Sequence, residues 1–533
     1  MAYALMSLTD KSGSVEFARG LESLGFKILS TGGTAKQLRA AGLEVLDVSE
    51  FTGQAEILDG RVKTLHPKIH GGILADWANP EHQSICDQQG IEPIRIICVN
   101  LYPFAEEAVA KALGQAEAIE YIDIGGPTMI RSAAKNYKHN YVVVDPADYG
   151  RVLEALKAEE RGSGAEKSKF AESLRAELAR KAFALTAHYD ALIVEYLSHL
   201  VESQSDLQGP QKYVALDQAR PLRYGENPQQ KAAWYQLAGN RSTIEILSGK
   251  EVSYNNLLDM HAAWELVSEF PSSAVMIVKH NNPCGGACVD EDNTARSESK
   301  KSQRELFEAA KSCDPQSAFG GILSFNRELE ESTAEALKNM FVECIIAPSF
   351  SEGAIKVLAD KPAIRLVRHR GDGAVEGTKE LRTALGGVLV QDADPKKPHA
   401  FDAECVTKLH PSDGDLAAAK HAWRVVKHMK SNAIALWKDG KTIGLGAGQT
   451  SRVDALRIAI DKARMHLGED ALQGSVLASD AFLPFSDTAE IAAKAGIRLI
   501  VQPGGSKRDQ DSIDVCNAAG VAMLFTRVRH FKH

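Results

Sequence analysis

Apolar runs of four to six residues alternate along this chain with stretches whose apolar positions return every three or four residues. Phe17 to Leu24 has the helical spacing, and Lys27 to Ser30 reads as a buried strand. Gly32-Gly33-Thr34 opens a helix over Ala35 to Ala41, and Val45 to Val48 reads as another short strand. Further apolar runs at Arg95 to Val99 and Tyr141 to Val144 extend this βαβα rhythm, which predicts a mostly parallel, doubly covered sheet. Residues 150 to 200 are helical in pattern, with a solvated charged face expected over 154–181. The polar stretch Val201 to Pro210 is the clearest boundary. Beyond it, strands are expected at Ala274 to Lys279 and Ile443 to Gly446, and helices at Glu305 to Lys311 and Thr488 to Ala495. Asp290 to Arg304 reads as a polar insertion and Asp392 to His399 as a surface turn.

Length turns this pattern into domains. With 533 residues the chain exceeds a single hydrophobic core, and the roughly 320 residues after the boundary suggest two related α/β layers. Composition is ordinary for a globular chain, at 44% hydrophobic and 25% charged, which excludes bulk disorder. The net charge of −8 excludes a broad nucleic-acid-binding surface but leaves room for local anion sites. The N-terminus lacks a basic region ahead of its short apolar run, and no apolar stretch is long enough to span a bilayer, so a cytosolic location without a membrane partner is expected. Eight cysteines, mostly among apolar neighbours, read as reduced thiols. Pro283-Cys284 to Cys288 has one residue too many for the Pro-Cys-x-x-Cys element of a zinc deaminase.

Candidate chemistry sits where apolar segments end. Thr31-Gly32-Gly33-Thr34 follows a strand and opens a helix, so its backbone N–H groups can hold a phosphate. Lys11-Ser12 and Arg61-Val62-Lys63-Thr64 add the cations and hydroxyls that a phosphomonoester needs. Two further polar islands, Asn100 to Phe104 with Tyr102 and Asp123 to Thr128 leading to Lys135, suit proton movement on a nitrogenous ring. Later come Arg223-Tyr224 and then Lys279-His280 at the exit of an apolar strand, which pairs a cation with a base that titrates near neutrality. Gly444-Leu-Gly446-Ala-Gly448 has the wrong spacing for a dinucleotide fingerprint, and no Walker A, HExxH or GxSxG pattern occurs.

An ordered set of anchors spans essentially the whole chain: Ser30 to Thr34, Arg61 to Pro67, Asn100 to Phe104, Asp123 to Thr128, Arg223 to Pro228, Lys279-His280, Ser317 to Gly321, Gly446 to Gln449 and Arg529 to His533. In these the chain resembles the PurH family, bifunctional purine-biosynthesis enzymes that join phosphoribosylaminoimidazolecarboxamide (AICAR) formyltransferase to IMP cyclohydrolase. The resemblance implies an α/β chain with a methylglyoxal-synthase-like domain over 1–200, a linker over 201–212, and a transformylase region over 213–533 made of two cytidine-deaminase-like subdomains. It implies nucleotide and phosphate contacts for Lys11, Ser12, Thr31, Gly32, Gly33, Thr34, Arg61, Lys63 and Thr64, with Tyr102, Asp123 and Lys135 joining Lys63 around the closing ring. For formyl transfer it implies nucleotide contacts at Arg223 and Tyr224 and the catalytic pair Lys279 and His280. Asn432 and Arg452 extend that pocket, and Asp314, Phe482, Asp487 and Gly505 match its ligand-binding surroundings. Asn281, Leu483 and His261 depart from the family pattern.

The implied reaction passes formyl from the co-substrate 10-formyltetrahydrofolate to AICAR and closes formyl-AICAR to IMP. His280 shuttles the proton and Lys279 stabilises the tetrahedral intermediate, while Lys63 and Lys135 stabilise oxygen charge and Tyr102 with Asp123 moves protons during ring closure. A homodimer with shared transformylase sites is implied, with a structural potassium ion as an option and no catalytic zinc. Two other readings stand beside it: a zinc base deaminase, and a nucleotide-binding scaffold that has lost turnover.

Overall fold

Strands covered on both faces need nearly continuous apolar sequence, and five such runs build the sheet of the first unit in the computed structural model, which describes residues 2–104, 107, 113–160, 165–200, 212–237, 243–289, 301–371, 379–394 and 401–533. The chain divides into two units, Met1–Gln218 with Tyr235–Asn240, and Ala219–Trp234 with Arg241–His533. The expected linker at 201–212 lies, apart from Lys212, outside the described residues, as do the expected insertion over 290–300 and the turn over 395–399.

In the first unit, β1 (Tyr3–Ser7), β2 (Lys27–Ser30), β3 (Val45–Asp47), β4 (Ile94–Val99) and β5 (Tyr141–Val143) pair in parallel in the order β3-β2-β1-β4-β5. β1 is central, yet its five residues are too few to show a period, which is why the apolar N-terminal run did not read as a strand. Among the described residues, nine α-helices connect and cover this sheet: α1 (Ser14–Ser23), α2 (Gly32–Ala40), α3 (Val48–Thr52), α4 (Pro67–Leu74), α5 (Pro80–Gln89), α6 (Gln115–Ile119), α7 (Gly125–Lys135), α8 (Tyr149–Glu160) and α9 (Ala165–Leu200). Over the described part of the charged segment 154–181, buried and exposed side chains share the helices. Ala171, Leu174, Leu178 and Ala182 form a helical stripe in the core, and Arg151, Arg175 and Lys181 pair with Glu177, Glu159 and Asp148.

β6 (Leu216–Leu222) and β7 (Ala232–Leu237) form a two-stranded ribbon. The second unit then repeats one pattern twice. Its first half runs β8 (Ile244–Ser248), α10 (Tyr254–Ser268), β9 (Ala274–Lys279), β10 (Asn282–Cys288), α11 (Gln303–Lys311), α12 (Pro315–Ala318), β11 (Ile322–Phe325), α13 (Glu331–Leu337), β12 (Cys344–Ala347), α14 (Glu352–Leu358) and β13 (Arg365–His369). An exposed hairpin, β14 (Lys379–Ala384) with β15 (Gly387–Asp392), and β16 (Glu404–Cys405) follow. The second half runs α15 (Asp413–Lys427), β17 (Ile434–Lys438), β18 (Lys441–Gly446), α16 (Arg452–Leu467), β19 (Val476–Ser479), α17 (Asp487–Lys494), β20 (Leu499–Gln502), α18 (Asp509–Ala519) and β21 (Ala522–Phe525).

Each half has a helix, an antiparallel hairpin, and three further strands, the first antiparallel to the hairpin and the next two parallel to one another. The registers match residue for residue. Ser253 and Ser412 both cap with capping boxes, Trp264 and Trp423 occupy the same turn, and Gly285 and Gly444 both lie under a helix carbonyl. A Cβ at Gly285 would stand 2.0 Å from the Ala310 carbonyl, and one at Gly444 would stand 2.1 Å from that of Ala459, so Gly444 serves strand–helix packing. The halves are therefore not stacked layers. They join edge to edge through the antiparallel β10–β18 contact into one twelve-stranded sheet. α10 and α15 share a core on one face, where Glu269 after α10 meets His428 after α15 at 2.8 Å and Lys427 at 2.6 Å.

Candidate functional site

In the first unit the chain leaves β1 for β2 on one side, but β4 lies on the other, so a crevice opens beyond the carboxyl ends of β1 and β4. Asn100, just past β4, closes its floor by accepting from the Thr9 N–H at 2.6 Å and donating to the Asp10 carbonyl at 2.8 Å. Asp10 in turn accepts from the N–H and hydroxyl of Ser12 at 2.9 and 2.7 Å, which holds that carboxyl below its usual range. The Lys11 side chain lies beside Gly33 in the first turn of α2, and Gly32 takes a φ of 50°. Thr34 is buried, and its hydroxyl accepts from the Leu8 N–H at 2.9 Å and donates to the Leu8 carbonyl at 3.0 Å. It ties α2 to β1, leaving Thr31, Gly32 and Gly33 as the open rim.

Arg61 pairs with Glu120, Lys63 pairs with Glu56 at 2.9 Å, and the buried Thr64 abuts Gly125 at the start of α7. Asp123 precedes that helix half-buried. Burial raises its pKa against the opposing pull of the N–H groups of Gly126, Tyr102 and Gly125, the first at 2.9 Å. The Tyr102 ring itself is exposed. Asp123, Tyr102 and Thr64 thus meet at the start of α7, with Lys63 next to Thr64 in the chain. Lys135 is the last residue of α7, about 15 Å along the helix from Gly125 at 1.5 Å per residue. Its turn is fastened to α4, through Asn136 and through Ser132 against His70 at 3.1 Å, and His70 also bonds the Thr64 backbone.

In the second unit the antiparallel junction of β10 with β18 sets the β9–β10 turn beside the start of β17 and the end of β19. The turn residues His280 and Asn281 have φ of 53° and 60°. Lys279 donates to the Phe319 carbonyl at 2.9 Å, which follows the short helix capped by Asp314. Asp314 is buried, and bonds from Lys462 at 2.7 Å and Ser317 outweigh that burial and hold its carboxyl below the usual range. Asn282 accepts from the Lys430 N–H at 2.9 Å and so joins the turn to the Lys430–Asn432 segment. There Asn432 accepts from Arg452 at 2.6 Å, and Arg452 donates to Ser479 at 2.8 Å and to the fully buried Asp480. The chain end covers this network, with Lys430 donating to the His533 carbonyl at 2.6 Å.

Phe482 is exposed two residues beyond Asp480, and Gln502 bridges its loop to that of Gly505 by accepting from the N–H groups of Leu483 and Gly504 at 3.2 and 3.1 Å. Asp487 is exposed at the start of α17. Arg223 donates to the Tyr224 hydroxyl at 2.8 Å, and their loop is tied to α10 by Asn255, which donates to the Glu226 carbonyl at 3.1 Å. His261 is exposed on α10, and Leu483 is fully buried. Asp480 and Gln502 both stand at the ends of apolar strands, the kind of strand exit that also carries Lys279. Cys284 and Cys288 lie four residues apart along one strand, about 13 Å at strand rise, which is too far to share an ion. Among the described residues no group of three or more His, Cys, Asp or Glu is arranged to hold a metal.

Comparison with known proteins places the chain in one family. A family model described as AICARFT/IMPCHase bienzyme matches residues 133–462, and one for an MGS-like domain matches 13–128. The chain is 47% identical to the bifunctional purine biosynthesis protein PurH of Oceanobacillus iheyensis over 99% of both chains. This chain belongs to the AICARFT/IMPCHase bienzyme family. Proteins of the same printed name from Bacillus cereus (strain AH820) and Magnetococcus marinus are 49% and 46% identical, again over 99% of each chain. As a bienzyme of purine biosynthesis, it transfers formyl from 10-formyltetrahydrofolate to AICAR and then cyclises formyl-AICAR to IMP with release of water. Its architecture is that of an MGS-like domain followed by a transformylase region of two cytidine-deaminase-like halves. No helix among the described residues is long and apolar enough to cross a membrane.

Proposed function

We propose that the two half-reactions divide between these two places, with domain limits at 1–200 and 213–533: ring closure in the β1–β4 crevice, formyl transfer at the β9–β10 turn. The observation that carries this reading is the Asn282–Lys430 bond, which brings His280 to a buried Arg452–Asp480 pair from far along the chain. The AICAR amine is a weak nucleophile because its lone pair is drawn into the ring and carboxamide, so orientation and proton removal set its rate. As the amine nitrogen bonds to the formyl carbon, His280 takes the amine proton. Lys279 steadies the oxyanion, and the carbon–nitrogen bond to folate breaks with a proton returned to the folate nitrogen. Arg223, Tyr224, Asn432 and Arg452 hold the nucleotide, and Asp314, Phe482, Asp487 and Gly505 line its surroundings.

In the crevice, Lys11, Ser12, Thr31, Gly32, Gly33, Thr34, Arg61 and Thr64 hold the phosphoribosyl end. The carboxamide nitrogen attacks the formyl carbon, Lys63 stabilises the oxygen that leaves as water, and Asp123 with Tyr102 moves the protons. The raised carboxyl of Asp123 suits this exchange. Lys135, at the end of α7, joins Lys63 in stabilising that oxygen charge. The enzyme acts in the cytosol as a homodimer that shares transformylase sites. A potassium ion gains no support at the Arg452 cluster, because the Asp480 oxygens already accept from Arg452, Ser431 and the Ala433 N–H.

The test supplies AICAR with 10-formyltetrahydrofolate, and separately formyl-AICAR, to purified variants. His280→Ala is expected to lower formyl transfer by about 10²–10⁴-fold and spare cyclisation, and Asp123→Ala to do the reverse. Equal loss of both activities in a folded variant contradicts the division. Lys135→Ala is expected to impair cyclisation and spare formyl transfer, and unimpaired cyclisation would remove it from the ring-closing group.

A further inference from the structure

The β9–β10 connection places two consecutive non-glycine residues, His280 and Asn281, at φ of 53° and 60°, the pattern of a type I′ turn. L-residues avoid that region, and asparagine tolerates it better than histidine does. The matching turn between β17 and β18 is Asp439-Gly440, with φ of 52° and 76°, the residue pair that such turns favour. One half therefore uses a sequence suited to the turn, and the other forces it on a histidine.

What holds the less suited turn is a carboxylate. Asp259, half-buried on α10, accepts from the Asn281 N–H at 2.7 Å and from the His280 N–H. Two adjacent backbone donors aimed at one carboxylate form an anion nest, which fixes the orientation of the peptide between them. In the second half the position on α15 that matches Asp259, counted from the shared serine caps and tryptophans, is Ala418. The carboxylate is present only where the turn carries histidine. Asn255, one turn earlier on the same face of α10, ties down the Arg223–Tyr224 loop, so one helix face addresses both the base and a nucleotide contact.

We propose that Asp259 is a positioning residue for formyl transfer: by holding the His280–Asn281 backbone in its left-handed turn, it sets the imidazole of His280 where the amine proton must go. This rests on the assignment of His280 as the proton shuttle.

The test measures kcat and KM for formyl transfer, with cyclisation of supplied formyl-AICAR as the internal control, in the full-length chain. Asp259→Ala is expected to lower kcat for transfer about ten- to a hundredfold, with KM for AICAR changed less than about threefold and cyclisation unchanged. Asp259→Asn keeps an oxygen acceptor for the turn and should recover transfer to within about threefold of the parent. Adding Asn281→Gly to Asp259→Ala should recover about tenfold, because glycine adopts the turn without support. Transfer by Asp259→Ala within twofold of the parent overturns the proposal. So does a folded Asp259→Asn whose kcat for transfer falls about tenfold or more below the parent, or a failure of Asn281→Gly to restore any rate; the first of these decides the matter even where Asp259→Ala does not fold. If His280→Ala itself keeps full transfer, the assignment beneath the proposal fails, and that outcome is read separately.

Discussion

The long sheet of the second unit presents two ends that its internal repeat makes equivalent, yet only one is built for chemistry. At that end the His280–Asn281 turn of the first half faces Lys430 to Asn432, Arg452 and Asp480 of the second. At the other end Asp439-Gly440 takes the turn position, Gln303 matches Arg452 as the first residue of its helix, and Asn326 matches Asp480 after its strand. Asn326 and Asp480 do one job in common, accepting from the N–H of Ala274 at 2.8 Å and of Ala433 at 3.1 Å. Asn326 spends its amide on the carbonyls of Phe270 and Ser272, while Asp480 neutralises a buried arginine. The backbone frame is thus shared, while the buried Arg452–Asp480 pair is replaced at the matching positions of the other end by Gln303 and Asn326. A neutral amide satisfies buried backbone at low cost, whereas a buried carboxylate is tolerated only with its cation beside it.

The sharpest way to break this comparison is to exchange the turns. Replacing His280 and Asn281 by the Asp and Gly of the other turn (His280→Asp with Asn281→Gly) should lower formyl transfer by about 10²–10⁴-fold, whereas Asp439→His should leave it within about twofold, both read by steady-state assay. A comparable loss from both would mean that the two ends are not functionally distinct.

Next in size is the seam on the shared face. Glu269 is held below its usual range because the charges of His428 and Lys427 outweigh the opposing effect of burial, and burial lowers the pKa of His428 against the pull of Glu269. Glu269→Gln removes the carboxylate beside the buried Lys427 and His428 and should cost roughly 3–5 kcal/mol in urea unfolding at neutral pH. For the parent the sign is definite. The unfolded chain takes up the His428 proton first as pH falls through the ordinary histidine range, and the Glu269 contribution disappears as pH falls further through its depressed value. Both lower stability, so melting temperature should drop from pH 7 to pH 5. A melting temperature unchanged over that interval would remove the seam as a pH-sensitive element.

The smallest effect tests how alike the halves are. Gly285→Ala and Gly444→Ala each drive a Cβ toward a helix carbonyl and should destabilise by similar amounts, about 1–3 kcal/mol or somewhat more, in denaturant titrations. Unequal losses would show that the frame itself, and not only the groups mounted on it, differs between the halves.

Much of this was legible in local sequence. The strands at Lys27 to Ser30 and Ala274 to Lys279 appear with the expected bounds, because an apolar run flanked by polar turns says how many faces are buried. Lys279-His280 stood out because it ends such a run. Asp259 carried no such mark. It lies inside a helix between Leu258 and Met260, and its partner is a backbone N–H that no side-chain pattern reports. Lys135 lies ten residues along α7 from Gly125, so its place relative to Asp123 is set by how that helix packs and not by local sequence.

The sequence alone determined which segments are strands and helices, that two α/β regions are present, and which strand exits carry cations, hydroxyls and a histidine, since each follows from local period and side-chain chemistry. Only the tertiary structure decided which of those exits meet. The antiparallel contact of β10 with β18 sets the turn of one half against the strand ends of the other, across a separation of 148 residues in the Asn282–Lys430 bond. Local pattern specifies the face a residue presents, whereas the partner edge and its register are chosen by the packing of the whole sheet.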